Sequence, residues 1–239
     1  MNDLLELALA AHGGLARWQS FSKARAQVAI GGAIWDYKQQ PGLLRDISWE
    51  AELQRQRVTC TPFDGPGRHS CFTPERIIIA EDNGELIASR NAPRLHFAGH
   101  TQASAWDKLD VVYFSSYALW QYLCAPFLYA APGFVTEEIA PWEENGETWR
   151  RLKITFPAEG AWHHREQVSC YGADGLLRRH DYTVDILGGA TGANYASGYR
   201  DFQGIQVPTT RRIVSYDEAG RSVPEPVLVS IDIADLYFD

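Results

Sequence analysis

Alternating apolar and polar positions run through most of the sequence, and this period of two predicts β-strands. Residues 24–34 are the first example, with apolar side chains on one face and mostly polar ones on the other. Three later segments are predicted to form hairpins, with turns at Asn83-Gly84, Asn145-Gly146 and 172–175. No strand alternates with a helix, which argues against a parallel βαβ sheet. We therefore predict about ten or eleven antiparallel strands.

Two segments depart from this pattern and predict helices. Residues 2–11 have apolar side chains at four-residue steps behind polar capping residues. Residues 104–124 are apolar or aromatic on most faces, which is typical of a buried helix. For this second helix we predict Ser104 as the N-cap with Asp107 completing a capping box, and Pro126 as the residue that stops it.

Together these elements predict a mainly β (α+β) protein. Its core would be a large curved antiparallel sheet or half-open β-barrel of about ten or eleven strands, with an N-terminal helix and one inserted aromatic-rich helix. A strongly curved sheet would bury the apolar faces of residues 104–124. Neither an internal repeat nor a long linker interrupts the chain, so residues 1–239 are predicted to form a single domain.

The composition is that of a folded, acidic protein. Apolar residues make up 45% and charged residues 22% of the chain, and the net charge is −8. A disordered chain would be less apolar, and a nucleic-acid-binding protein would need a basic face. No window of 18 uncharged apolar residues occurs, and no basic segment precedes an apolar one near residue 1. These observations predict no nucleic-acid partner and no integral membrane segment. They also predict a cytoplasmic location, with a periplasmic one only if the native N-terminus differs.

The four cysteines are scattered and form neither a CxxC pair nor a metal-ligand spacing. We predict that Cys60, Cys71, Cys124 and Cys170 are reduced thiols, as is usual in the cytosol. One alternative stays open: a turn centred on Gly65-Pro66 would place Cys60 and Cys71 opposite each other across a hairpin, where they would be able to cross-link.

Four histidines suggest a metal site at first sight. His96 and His100 would share a face only on a helix, which the surrounding proline and glycine do not favour. The adjacent His163 and His164 would point to opposite faces of a strand, and a metal site usually needs a third protein ligand. We therefore predict no metal site and solvated or capping roles for these four side chains.

His180 differs from the other histidines because of its surroundings. It shares the more apolar face of strand 176–186 with Tyr182 and Val184. An ionisable ring among apolar neighbours is either a core histidine with satisfied hydrogen bonds or a group with a shifted pKa that contacts a ligand. Both interpretations remain open at this stage.

Other motifs for catalysis or cofactor binding are weak. The sequence has no GxSxG nucleophile motif, and the glycine-rich residues 188–192 lack both the P-loop ending and the dinucleotide fingerprint. We therefore predict no cofactor.

Three arginines remain as candidates for an ion pair or a ligand contact. Arg211 and Arg212 would point to opposite faces of a predicted strand, and Arg200 precedes them. One of them would either pair with a protein carboxylate or bind a ligand carboxylate through its planar fork. The protein carboxylates considered as partners are Asp181, Asp185 and Asp201.

Several longer phrases give the chain a family resemblance. A group of uncharacterised bacterial proteins of this length is similar in PGRHSCFTPERI, SAWDKLDVVYFSSYALWQYLCAPF, PWEENGETWRRLKITFP, GLLRRHDYTVDILGG and FQGIQVPTTRRI. The N-terminal helix ending in HGG, the long antiparallel meander and the inserted helix also resemble the lipoprotein-carrier superfamily, LolA/LolB-like. This resemblance implies a half-open barrel whose helices form a lid over a hydrophobic cavity.

The predicted function follows from that cavity. A hydrophobic or lipid-like ligand would bind between the curved sheet and the helix at residues 104–124. Two alternatives stay open: an enzyme that acts on a small hydrophobic substrate with His180 as acid or base, and a non-catalytic oligomeric scaffold. The predicted ligand-binding residues are Trp106, Tyr113, Tyr117, Trp120, His180 and Tyr182.

Overall fold

The computed structural model describes residues 2–239, which form one antiparallel sheet of fourteen strands and four α-helices. The strands are β1 (Lys23–Gly31), β2 (Ile47–Glu52), β3 (Arg57–Thr61), β4 (Arg68–Phe72), β5 (Arg76–Glu81), β6 (Leu86–Asn91), β7 (Val135–Glu144), β8 (Glu147–Thr155), β9 (Glu166–Tyr171), β10 (Leu177–Val184), β11 (Ala190–Phe202), β12 (Ile205–Tyr216), β13 (Ser222–Val223) and β14 (Val229–Phe238). The helices are α1 (Asp3–Ala11), α2 (Leu15–Gln19), α3 (Ile34–Tyr37) and α4 (Lys108–Cys124). None of the helices within residues 2–239 is long and apolar enough to cross a membrane.

The strand order is β6-β5-β4-β3-β2-β1-β14-β12-β11-β10-β9-β8-β7, with β13 paired to β12 outside this path. Most neighbours in the sheet are also neighbours in the chain, as expected for a series of hairpins. The exception is β14, which lies between β1 and β12 and joins the two halves of the sheet. The sheet does not close, so the predicted mainly β architecture with an open, curved sheet is confirmed.

The count of strands is higher than the ten or eleven predicted. β4 and β13 were not recognised from the pattern: β4 has the sequence RHSCF, which lacks a regular apolar alternation, and β13 has only two residues. Both form because a neighbouring strand supplies hydrogen-bond partners, β3 and β5 for β4 and β12 for β13.

Helix α4 is the aromatic-rich helix, and nearly all of its side chains are buried. It packs against strands β3 to β6 on one side and faces the central strands of the sheet on the other. A single helix inside a curved sheet has apolar neighbours all round, which explains why its sequence has no polar face.

The predicted start of α4 at Ser104 is wrong. Asp107 is the N-cap: its carboxylate accepts a hydrogen bond from the Asp110 amide at 2.9 Å, and the Asp110 carboxylate accepts one from the Asp107 amide at 3.0 Å. Ser104 instead accepts a hydrogen bond from the Thr101 amide in the preceding loop. The helix ends at Cys124, before Pro126, as predicted.

The N-terminal helix forms as expected and ends in a tight contact with the sheet. The Asn2 side chain caps α1 through the Leu5 amide at 2.8 Å. After the helix, Gly13 has a positive φ of 112° and passes so close to β12 that a Cβ atom would lie 2.1 Å from the Gly204 carbonyl oxygen. Only glycine fits such a position.

The register of β3 and β4 removes the alternative of a disulfide. Cys60 pairs with Ser70, and Cys71 pairs with Thr59, so the two cysteines are one residue out of register. A shift of one residue places side chains on opposite faces of a sheet. All four cysteines are free, and burial raises the pKa of the Cys60 thiol to about 12.

Candidate functional site

Two small apolar cavities lie between α4 and the concave face of the sheet. The first, here called the Arg211 cavity, has a volume of about 30 Å³ and is lined by Trp49, Val207, Arg211 and others. The second, here called the Tyr182 cavity, has a volume of about 50 Å³ and is lined by Phe114, Tyr182, Ile213 and others. The two share three lining residues, Leu119, Tyr122 and Ile231.

The two cavities are too small to hold a lipid in this conformation. A water molecule needs roughly 10–15 Å³ of such space, so each cavity has room for only a few atoms. An acyl chain would fit only if α4 moved away from the sheet. Because the walls are almost entirely apolar, such a movement would expose hydrophobic surface to water unless a ligand replaced the helix contacts.

A larger, open groove of about 360 Å³ lies beyond the C-terminal end of α4. Cys124 of α4 lies in its wall, and its rim is aromatic, formed by Trp18, Trp120, Phe127 and Trp162 among others. The groove lies past the last turn of α4, whereas the two cavities lie between the helix and the sheet.

The aromatic residues predicted to bind ligand from the helix pattern lie in different parts of the structure. Tyr113 packs edge-on against Phe72 at 5.8 Å, and Trp106 packs edge-on against Phe97 at 5.9 Å between ring centroids. Neither residue lines the two cavities. Trp120 lines the open groove, and its indole nitrogen donates to the Glu52 carbonyl oxygen at 2.7 Å.

Tyr117 and Tyr182 are brought together by a residue that the sequence analysis missed. The His163 ring lies 3.0 Å from the Tyr117 hydroxyl through Nδ1 and 2.8 Å from the Tyr122 hydroxyl through Nε2. The Tyr122 hydroxyl also forms a hydrogen bond with the Tyr182 hydroxyl. The result is a buried network of one imidazole and three phenols, which borders the Tyr182 cavity.

The predicted solvated role of His163 is therefore wrong, because only 1% of the residue is exposed. Burial, together with the nearby His180 and Arg94, holds the pKa of His163 well below its usual range. Its neighbour His164 is half-exposed and pairs with Asp185 at 2.7 Å. Residues 161–164 form an irregular loop, so no periodicity indicated which of the two rings would point inward.

His180 is buried on the concave side, as its strand pattern indicated. Burial and the charge of Arg211 lower the pKa of His180 to about 3, so the ring is neutral at neutral pH. Its Nε2 atom has no hydrogen-bond partner. Among residues 2–239, no carboxylate forms an ion pair with His180.

Arg211 and Arg212 point to opposite faces of β12, as the strand pattern predicted, and Arg211 is the inward one. The expected carboxylate partners are wrong. Arg212 pairs with Asp232 at 2.9 Å on the outer face. Arg211 donates to the Tyr122 carbonyl oxygen at 3.0 Å and to the Asn194 side-chain oxygen at 3.4 Å. The predicted partners are engaged elsewhere: Asp181 with Arg179, Asp185 with Arg94 and His164, and Asp201 with the Gly204 amide and Gln206.

A separate cluster near the start of α4 resembles a metal site. Ligand atoms of His96, Asp107 and Asp110 lie within 4.8 Å of one another. Arg90 donates to both carboxylates, at 2.7 Å in the case of Asp110. The cluster is therefore an ion-pair network that anchors the first turn of α4 to β6. His100 packs edge-on against His96 with 5.3 Å between ring centroids.

No protein-family model and no curated protein matches the sequence. Solved structures match its fold across nearly the whole chain. A protein domain from Vibrio parahaemolyticus, described as outer membrane lipoprotein-sorting, has a TM-score of 0.52 at 11% identity and covers 98% of this chain and 92% of its own. A LolA superfamily protein from Nitrosomonas europaea has a TM-score of 0.52 at 6% identity, with coverages of 98% and 93%.

A third structure, a DUF1329 family protein from Desulfovibrio piger, has a TM-score of 0.51 at 13% identity and covers 99% of this chain and 92% of its own. The fold is LolA-like, which confirms the resemblance noted in the sequence.

The predicted cytoplasmic location is wrong. It rested on the lack of an export signal and of membrane-spanning segments, and a missing segment carries no information about where a protein works. The fold neighbours, which include an outer membrane lipoprotein-sorting domain and a LolA superfamily protein, contradict it.

Proposed function

We propose that this protein binds a hydrophobic or lipid-like small molecule between α4 and the concave face of the sheet. The observation that carries the proposal is the pair of apolar cavities under α4, which share Leu119, Tyr122 and Ile231 in their walls. A close-packed core has few voids larger than a water molecule. Two adjacent voids along one helix mark the surface where that helix is least tightly held.

The contacts of α4 support a helix that moves as a unit. Polar anchors hold its two ends: Arg90 binds the first turn through Asp110, and Arg211 binds the Tyr122 carbonyl near the last turn. The loop before the helix is fixed by Lys38, whose ammonium donates to the Gln102 and Ser104 carbonyl oxygens at 2.7 and 3.0 Å. Between these ends the walls of the two cavities are largely apolar, so a hydrocarbon chain would replace those contacts. Movement of the helix would also break the hydrogen bonds of Tyr122 with His163 and Tyr182 and that of Trp120 with the Glu52 carbonyl.

The affinity expected from the hydrophobic effect is suitable for a carrier or a sensor. Removing about 200 Å² of apolar ligand surface from water contributes about 5 kcal/mol at roughly 25 cal/mol per Å², before the costs of association. That gives weak to moderate affinity, which suits a protein that releases its ligand. The description of one fold neighbour as a lipoprotein-sorting domain also supports a lipid-like ligand.

In this proposal the aromatic residues surround the ligand once α4 has moved. Tyr182 already lines a cavity, and Trp120 lines the groove at the end of the half-barrel, which provides an entrance. The remaining predicted contacts would form the walls of the enlarged cavity: Trp106, Tyr113, Tyr117 and His180.

The test is ligand-induced stabilisation. Saturated C16 alcohol and C16 alkane, presented in dilute detergent, should raise the melting temperature, because a ligand that binds only the native state stabilises it by mass action. Leu119→Phe adds volume at the wall that both cavities share and should reduce this shift. Leu95→Phe, at a side chain that is 75% exposed, is the matched control and should leave the shift unchanged. If neither probe raises the melting temperature of the unmodified protein, the proposal is wrong.

A further inference from the structure

Arg211 is a buried cation without an anion. The residue is 4% exposed, and no carboxylate in the described chain lies within ion-pair distance of its guanidinium. Buried charges in proteins are normally paired, because an ion that loses its hydration without a partner is strongly destabilising. Arg179 in the same protein follows this rule: it is equally buried and pairs with Asp181 at 2.6 Å and Glu144 at 2.8 Å.

The protein compensates only part of the Arg211 charge. A guanidinium has five N–H donors, and within residues 2–239 Arg211 makes two hydrogen bonds, to the Tyr122 carbonyl and the Asn194 side chain. Tyr122 lies in the last turn of α4, where the helix dipole supplies about half a negative charge. The Tyr122 ring adds a cation–π contact at 5.1 Å. A unit of positive charge is therefore only partly balanced.

The surroundings of Arg211 contain further unused donors. The indole nitrogen of Trp49, which lines the same cavity, is buried and has no hydrogen-bond partner. The side-chain nitrogen of Asn194, whose oxygen accepts from Arg211, also has none. A cavity with one cation and spare donors nearby, but without a carboxylate in its wall, is complementary to an anion.

The volume and the apolar lining of the Arg211 cavity indicate which kind of anion would fit. A volume of about 30 Å³ accommodates roughly two water molecules, which is close to the space of a carboxylate group. Except for Arg211, none of the residues that line this cavity is charged, and most are aliphatic, such as Val28, Ile233 and Leu236. A small anionic head attached to an apolar chain matches both features.

We infer that Arg211 is the anchor for the carboxylate of a long-chain fatty acid or of another amphiphile with a carboxylate head. The planar guanidinium would donate two parallel hydrogen bonds to the carboxylate, which is the strongest geometry available to such a pair. The acyl chain would extend past Leu119 and Tyr122 into the Tyr182 cavity. The inference rests on the proposed function, because the chain needs the space that α4 vacates.

The experiment compares ligands that share a chain and differ in the head. Hexadecanoic acid, hexadecan-1-ol and hexadecyl phosphate are titrated at pH 8 by displacement of a fluorescent apolar dye from the unmodified protein. The acid should bind at least tenfold more tightly than the alcohol, and the phosphate, with its larger head, should bind less tightly than the acid. In Arg211→Met the acid should lose this advantage while the alcohol keeps its affinity.

Two controls separate a ligand contact from a structural role. Arg212→Met removes a charge from the adjacent residue on the outer face and should keep the preference for the acid. Arg211→Lys retains the charge and should keep part of the preference for the acid. If Arg211→Met does not fold, Arg211→Lys decides instead: a reduced preference for the acid would support the inference, and a preference equal to that of the unmodified protein would overturn it.

The outcomes distinguish this inference from the proposed function. Equal binding of acid and alcohol to the unmodified protein would overturn the role of Arg211 and leave apolar ligand binding standing. Binding of neither would overturn both. A preference for the acid that persists in Arg211→Met would place the anion elsewhere and also overturn the inference. A phosphate that binds as tightly as the acid would contradict the assignment of a carboxylate.

Discussion

His163 stacks face to face on Tyr182, with 4.0 Å between the ring centroids and 5° between the ring planes. The two nitrogens of the imidazole are occupied by the hydroxyls of Tyr117 and Tyr122. Burial keeps the pKa of His163 well below its usual range, because the charged ring would lose its hydration. The imidazole of His163 is therefore neutral in the stacked pair. The buried rings of His12 and His180 are neutral for the same reason.

Stability should fall as the pH decreases from neutrality. Burial lowers the pKa of His12 to about 4 and that of His180 to about 3, from an unfolded value near 6.5, and lowers that of His163 as well. Below pH 6.5 the unfolded chain therefore binds more protons than the folded one at these sites, which favours unfolding. Asp181 acts in the opposite direction, since burial raises its pKa to about 6.

The free energy of unfolding should therefore fall by on the order of 3 kcal/mol between pH 6.5 and pH 5. Each proton taken up on unfolding contributes about 1.4 kcal/mol per pH unit. Urea unfolding curves at half-unit intervals of pH measure it directly. His180→Asn should make the dependence shallower over the same range. A free energy of unfolding that stays flat or rises between pH 6.5 and pH 5 would contradict the neutral, buried state of these rings.

Trp120→Ala should destabilise the protein by roughly 3–5 kcal/mol, as expected for truncation of a large buried aromatic side chain. Trp120 is 6% exposed, and the substitution also removes its hydrogen bond to the Glu52 carbonyl. Tyr37→Ala, at a side chain that is 58% exposed, is the matched control and should change the stability by less than about 0.5 kcal/mol. Equal melting temperatures for Trp120→Ala and the unmodified protein would mean that this end of α4 is not packed.

Gly13→Ala should be far more damaging than Gly14→Ala, although both glycines have positive φ angles of 112° and 87°. Left-handed backbone costs an L-residue about 1–2 kcal/mol at either position. A Cβ atom at Gly13 would additionally lie 2.1 Å from the Gly204 carbonyl oxygen, whereas one at Gly14 would meet nothing within 4 Å. Thermal unfolding of the two variants provides the comparison, and similar losses in both would show that α1 does not approach β12 this closely.

Gly192→Ala should disturb the Tyr182 cavity directly. A Cβ atom at Gly192 would lie 2.5 Å from the Tyr182 ring, which would have to shift. We expect a loss of roughly 1–3 kcal/mol in stability, as for other overpacked cores, and weaker binding of the C16 alcohol. Gly31→Ala is the control, since its Cβ atom would meet only the small side chain of Ser230. Unchanged alcohol affinity in Gly192→Ala would argue against ligand contact at this cavity.

The sequence predicts the class of fold well because alternation and turn residues are local signals. Asn83-Gly84 and Asn145-Gly146 both lie at the predicted turns between paired strands. Capping is less predictable: Ser104 and Asp107 are both good N-cap residues, and the choice depends on Arg90 of β6, which binds the Asp107 side chain. That contact is invisible in the sequence of the helix itself.

The candidate site is predictable only in part, because its polar members are selected by tertiary contacts. The inward orientation of His180 follows from strand alternation, which for Arg211 and Arg212 predicts only that they lie on opposite faces. The burial of His163 does not, since its loop has no period and its partners come from α4 and β10. The lack of a carboxylate beside Arg211 is also a property of the assembled sheet, which places Asp181 on the opposite face with Arg179.

Ile231 of β14 pairs with Ile30 of β1 on one side and with Arg211 of β12 on the other. Ile30 and Ile231 are roughly 200 residues apart in the chain, so their pairing is among the most non-local contacts of the fold, and such contacts form slowly. The same Ile231 side chain lines both cavities beneath α4. The cavities therefore lack the wall that β14 supplies until this strand has joined the two halves of the sheet, so ligand capture would report on the completion of folding.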